Sequence, residues 1–213
     1  MQQKQSNPNT KTKLIRAAER LFAENGLGAV SVRDITRAAG ARNESALHYH
    51  FGSKEALIRA VFADRIQGID SERLALIAEL DAAGAGSQMT QLMAATIAPM
   101  LRACMDEGGR LYATFLMQIA ADPRFDVDRL MDDLAPDGIL AVSARLLKLM
   151  DHLPARTTAA RLQRLPSLTI VIMADFAREM ASGSQISLDW AIAEAATSLA
   201  GYLLSEPAGS AAI

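Results

Sequence analysis

The chain has one cysteine, Cys104, among its 213 residues. That excludes an internal disulfide framework and a multi-cysteine metal site. It has no long apolar run: stretches such as Ile170 to Ala174 fall far short of the roughly 18 residues a membrane helix needs. Residues 1–14 are polar and lack the apolar core of a signal peptide, so a cytoplasmic protein is expected. No convincing alternating strand and no internal repeat occurs. No Gly-rich phosphate loop and no carboxylate–histidine–nucleophile set stands at helical spacing, which argues against an enzyme. Cys104, between Met100, Leu101 and Met105, reads as a small buried hydrophobe or as part of an apolar pocket wall.

What is present is helical periodicity and an uneven charge. Up to Arg65, eleven Lys and Arg stand against six Asp and Glu, a balance of +5; the remaining eleven against eighteen give −7, and the two sum to −2. A basic N-terminal third on an acidic body points to a polyanion for the first part alone. Apolar residues recur at a 3.6 period through Leu14, Ile15, Ala18, Leu21 and Phe22 and stop at Gly26. Ser31-Val32-Arg33-Asp34 is a capping box that opens a short helix with Val32, Ile35, Ala38 and Ala39 inward, ending at Gly40. A second short helix is expected from about Asn43 to Phe51. After Gly52, Ser53 caps a long helix with an inner stripe of Leu57, Ile58, Val61, Phe62, Ile66 and Ile69. Further helices are expected over about 87–107, with a kink at Pro99, then 110–121, 127–134, 137–152, 155–182 with a possible break at Pro166, and 187–205. The fold class is all-α: an N-terminal three-helix helix-turn-helix domain over 10–56, preceded by a disordered tail over 1–9, and a larger helical ligand-binding and dimerisation domain over 57–213.

His48-Tyr49-His50 poses the functional question. On a helix turning about 100° per residue, His48 and His50 point some 200° apart and cannot grip one ion. His152 is the chain's third histidine, no further ligand stands nearby, and no metal or cofactor is expected. Two short helices separated by a tight turn at Gly40 are instead a helix-turn-helix. Asn43, Glu44, Ser45, His48 and His50 are hydrogen-bonding types suited to base edges, with Leu47 and Phe51 on the buried side. Tyr49, Lys54 and the N–H groups at the Ser53 cap suit phosphates, and Arg33, Arg37 and Arg42 add charge.

The stretches "AAERLFAENGLGAVSVRDITRAAG" and "SALHYHFGSKEALIRAV" resemble the DNA-binding region of the TetR/AcrR family of bacterial one-component regulators over about residues 10–62. Between Gly40 and Leu47 the chain reads "ARNESA", one residue longer than the common family pattern, which re-opens the roles of Arg42 and Asn43. The resemblance implies that Ser31 holds a phosphate, that Arg33 reaches a base or a phosphate, and that Ser45, Ala46 and His48 face bases. It implies that Tyr49 and Lys54 clamp the backbone. His50 either contacts a phosphate or packs beneath the helix. It also implies a homodimeric repressor on a palindromic double-stranded operator, released when a small molecule enters the body and the long helix swings. An activator, or a regulator without an inducer, is the alternative.

The last two helices are apolar on nearly all sides, and small residues such as Ala191, Ala196, Ala200 and Gly201 permit close approach. A second copy, packed as a four-helix bundle through Leu168, Val171, Ile172, Trp190, Ala195, Leu199 and Tyr202, is the simplest cover; a central helix in a monomer is the alternative. Met89, Met93, Met100, Cys104, Phe115, Met117, Met150, Met173 and Phe176 either line a cavity for a hydrophobic or aromatic effector or simply pack the core. Arg102, Gln118 and Asp175 either anchor that effector, face solvent or pair with neighbours.

Overall fold

The computed structural model describes residues 8–207 except 42, 87 and 135. Among the described residues there are ten helices and no strand: α1 Pro8–Asn25, α2 Val32–Ala38, α3 Ser45–Phe51, α4 Lys54–Ala82, α5 Met89–Ala103, α6 Glu107–Ala121, α7 Val127–Leu134, α8 Asp137–Leu149, α9 Ala155–Ala181 and α10 Leu188–Leu204. Arg42 lies outside the described residues, as do Ser87 and residues 1–7 of the expected tail.

Local chemistry sets these boundaries. Ser31 caps α2 reciprocally: its hydroxyl accepts from the Asp34 N–H, and the Asp34 carboxylate accepts from the Ser31 N–H and O–H. Those bonds hold the Asp34 carboxyl below its usual range. Gly52 closes α3 at φ +79°, a left-handed conformation that favours glycine, and Ser53 accepts from the Ala56 N–H to start α4. Asp106 caps α6, so Glu107 belongs to α6 rather than to the end of α5. α9 runs unbroken through Pro166, because packing on both sides of a long helix offsets one lost hydrogen bond. In α2, Thr36 takes the inward position expected of Ala38. From Val32 the i, i+3, i+4, i+7 stripe is Val32, Ile35, Thr36 and Ala39, which leaves Ala38 exposed.

α4, about 43 Å long at 1.5 Å per residue, is the spine. It packs on α1 and α3 of the N-terminal unit and on α5 and α8 of the body. The expected stripe from Leu57 to Ile69 is buried throughout. α6 lies between α1 and α9, and α5 lies along α10. One hydrophobic cluster therefore runs from Leu14 in α1 to Leu203 in α10. No helix among the described residues is long and apolar enough to cross a membrane.

Cys104 is 2 % exposed, and burial pushes its thiol up to about 12. The native chain should therefore resist iodoacetamide at about pH 8 and react fully once unfolded in guanidinium, since the thiolate is the nucleophile. Mass spectrometry of the quenched samples reads this directly, and rapid native alkylation would contradict the burial.

Candidate nucleic-acid interface and effector cavity

α3 is seven residues long and has one buried face. Leu47 is fully buried, while Ala46, His50 and Phe51 are half-buried and Phe51 and Ala46 pack against the core. At about 100° per residue, Ser45, His48 and Tyr49 fall within an arc of about 100° on the opposite side, and all three are exposed. Asn43 and Glu44 are exposed just before the helix. The Ser45 hydroxyl donates to the Asn43 side-chain oxygen, which ties the turn to the first helical residue. This outward row is the candidate reading surface.

His48 is held in a defined way. Its Nδ1 lies 2.9 Å from the Gly52 carbonyl oxygen. A carbonyl only accepts, so Nδ1 carries the proton and donates. In the neutral ring the exposed Nε2 is then an acceptor. Tyr49, 66 % exposed, stands edge-on to His50 with ring centroids 5.2 Å apart.

The other sequence-derived candidates fall into two groups. Arg33 is exposed on α2 beside the reading helix, whereas neighbouring Arg37 pairs with Asp34. The Ser31 hydroxyl is engaged in the capping box. Lys54 differs most from expectation: its ammonium sits 5.7 Å from the centroid of the Phe22 ring, on the domain junction. Partial burial, with Arg124 nearby, holds its pKa below the usual lysine value. The attraction of the cation to the ring face draws the ammonium of this first α4 residue inward.

The body contains a cavity of about 310 Å³ lined by α4, α5, α6, α8 and α9 and by Val127 at the start of α7. Of the twelve residues expected to line one, only Met100 does so. Met89, Met93, Cys104, Phe115, Met150 and Met173 are buried in the core, and Met117 packs half-buried against it. Phe115 stacks between Phe22 and Tyr112, with centroids 6.1 Å away in each case. Arg102 pairs with Glu72 and Asp175 with Arg178 on the surface. Phe176 meets Trp190 edge-on at 5.9 Å. Gln118 bridges to the reading head: its carboxamide oxygen accepts from the Leu27 N–H at 2.9 Å and its nitrogen donates to the Ala23 carbonyl at 3.2 Å. The wall that does form includes Arg73, Thr96, Tyr112 and Thr169 among apolar side chains.

α10 is divided. Ala191, Ala195, Ala196, Leu199, Ala200 and Leu203 are buried within the chain, where α10 lies along α5. Ala195 and Leu199, each 1 % exposed, are therefore intrachain core and not surface. The outward side of α9 and α10 presents Val171 at 47 % exposure and Trp190 at 50 %, with Leu168, Ile172 and Tyr202 half-buried beside them. Ala193, Thr197 and Gly201 are exposed at four-residue intervals on the same open side of α10.

Comparisons with known proteins agree with this geometry. The family model described as bacterial regulatory proteins, tetR family, matches residues 14–61. Over 80 residues the chain is 38 % identical to the HTH-type transcriptional repressor KstR2 of Rhodococcus jostii (strain RHA1), a match that covers 38 % of this chain and 37 % of that one. Among solved structures, a chain assigned to the tetR family of transcription regulators from Shewanella sp. PV-4 superposes with a TM-score of 0.66 at 18 % identity, covering 90 % of this chain and 95 % of that one. The TetR family transcriptional regulator PfmR from Thermus thermophilus superposes at 0.50 and 18 % identity, covering 92 % and 97 %. At those identities the structures speak for the fold alone.

Proposed function

We propose that this chain, whose residues 14–61 match the model of the tetR family of bacterial regulatory proteins, is a homodimeric transcriptional repressor that a small lipophilic molecule releases from a near-palindromic operator. The observation that carries the reading is the exposed row Ser45, His48 and Tyr49, backed by a fully buried Leu47. A single seven-residue helix reads few base pairs. Two copies joined through the open side of α9 and α10 would set two such helices into successive major grooves, about 34–36 Å apart. The repressor sense is supported by the likeness to a repressor over 80 residues.

Release follows from how the cavity is walled. Tyr112 and Leu116 of α6 line it. The same helix grips α1 through Phe115 on Phe22 and through Gln118 on the segment that follows. A ligand that prefers a shifted α6 would re-aim the head, and DNA would oppose that ligand by the same factor.

The test is selection of duplexes from a random library, followed by binding of variants to the selected site. Tyr49→Ala should weaken binding to all sequences by about tenfold and leave the salt slope unchanged, as expected for a neutral hydroxyl on a phosphate. His48→Ala should relax preference at one base per half-site, by about 1–3 kcal/mol there. With Nε2 as an acceptor, the base lost from the preference should carry a donor on its groove edge, adenine or cytosine. A selected pool without sequence preference would overturn the reading.

A further inference from the structure

Arg73 sits in the cavity wall with side-chain exposure of 1 %, on the inner stripe of α4. Its Nη1 donates to Asp70 Oδ1 at 2.6 Å, and its Nε and Nη2 share the Thr96 carbonyl at 3.4 Å each, at the long limit of a hydrogen bond. A guanidinium has five N–H groups, so one on Nη1 and one on Nη2 are left over. Asp70 needs nothing more from Arg73. Its Oδ2 accepts from the Gly138 N–H at 2.8 Å and its Oδ1 from the Ile139 N–H at 3.0 Å, at the positive end of α8. A Cβ at Gly138 would lie 2.7 Å from Asp70 Oδ1, so the carboxylate reaches this helix end because residue 138 is glycine. Asp70 is thus held by three donors, while Arg73 remains under-bonded.

The other buried polar groups of the wall have already spent their hydrogens inside the protein. Thr96 donates to the Leu92 carbonyl, Thr169 to the Leu165 carbonyl and Tyr112 to the Phe62 carbonyl. The rest of the inner surface is apolar, including Phe62, Ile69, Leu116, Val142 and Ile170, and the exposed Ser143 and Gln163 mark where it opens between α8 and α9. A buried cation with unused donors in an apolar cavity is matched by a ligand with one anionic head and an apolar body. Planar two-donor recognition favours a carboxylate. A volume of about 310 Å³ stands at the low end of the roughly 300–1,000 Å³ of small-molecule sites, which suits a short body.

We infer that the effector is a lipophilic carboxylic acid whose carboxylate lies on Arg73 and whose hydrocarbon body fills the space between α4, α5, α8 and α9. This rests on the reading of the cavity as an effector site and adds the class of molecule. Burial already costs the guanidinium part of its charge stability, against the opposing pull of Asp70, and a second anion relieves that cost.

The experiment compares sodium octanoate with 1-octanol, equal in chain length, by calorimetric titration into the full chain at about pH 7.5. Octanoate should bind about tenfold tighter or more, as a charge-assisted pair in a dry site implies. Arg73→Gln should bring the two ligands within about twofold of each other, with the larger loss falling on octanoate. If circular dichroism shows that this variant is unfolded, Arg73→Lys is read instead, and it should keep the preference for octanoate at a reduced ratio. Equal binding of acid and alcohol by the wild-type chain overturns the carboxylate assignment and leaves the effector reading standing. A preference that survives Arg73→Gln overturns the role of Arg73. If neither ligand binds and neither releases DNA, both readings fall together.

Discussion

Gly201→Glu is expected to split the proposed dimer into monomers and to lower affinity for operator DNA by about a hundredfold or more, with helical content intact. A Cβ at Gly201 meets nothing within 4 Å in the single chain, and the residue is exposed in the last turns of α10. Within one chain the substitution therefore creates no clash, and replacing a helical glycine even favours the helix by a few tenths to about 1 kcal/mol. In the proposed dimer this face of α10 would pack near its own copy across the twofold axis, and two carboxylates would be buried close together where small residues let the helices approach. Losing the second reading head removes the avidity of a joined pair, which is the larger part of specific affinity. Sedimentation gives the mass, anisotropy the affinity and circular dichroism the helix content. The melting temperature should fall and lose its dependence on protein concentration, because association no longer stabilises the folded chain. A variant that stays dimeric would move the interface elsewhere.

Arg65→Met is expected to cost about 2–3 kcal/mol, a fall in melting temperature of roughly 5–10 °C for a chain of this size. Glu19 is buried on α1, its side chain 6 % exposed, and Arg65 of α4 meets both its oxygens, at 3.0 and 3.3 Å. Arg16, at 3.6 Å and half-exposed, is the weaker partner. Removing Arg65 strands a carboxylate in the core, and a stranded charge costs far more than the pair contributes. Arg65 also lies 5.9 Å from the Tyr112 ring, so the variant loosens the cavity wall as well as the reading head. The double variant Glu19→Gln/Arg65→Met should recover much of the loss, since it removes the orphaned charge. Equal destabilisation in single and double variants would mean that packing of the arginine stem, not charge, is what matters.

Most of the reading head was legible because its signals are local. A Ser-x-x-Asp box, a glycine at the end of each short helix and a serine cap fix three helices without long-range information. The side chains that carry function were less so. Lys54 follows a capping serine, and only the fold reveals Phe22 beneath it. The turn around residue 42 keeps its role open, because Arg42 falls outside the described residues.

The cavity was harder still. Methionines mark core in general, and which of them faces a void depends on six helices at once; of those expected to line it, Met100 does. Yet Arg73 had a signal. Asp70 and Arg73 extend the inner stripe of α4, four residues after Ile66 and Ile69 respectively, and charged residues at core positions are rarely idle. The pattern ended too early, at Ile69. For α10, nearly all-round apolarity predicted cover on two sides, and one of those sides is α5 of the same chain. That accounts for Ala195 and Leu199 and confines the candidate interface to the remaining face.

The most direct measurement is a hydroxyl-radical footprint of the native chain on its selected duplex. Two protected segments per strand, centred about one helical turn apart and related by a twofold axis, with two chains bound per site, is the predicted result. A single protected segment bound by one chain, or uniform protection without boundaries, would contradict the paired presentation of α3.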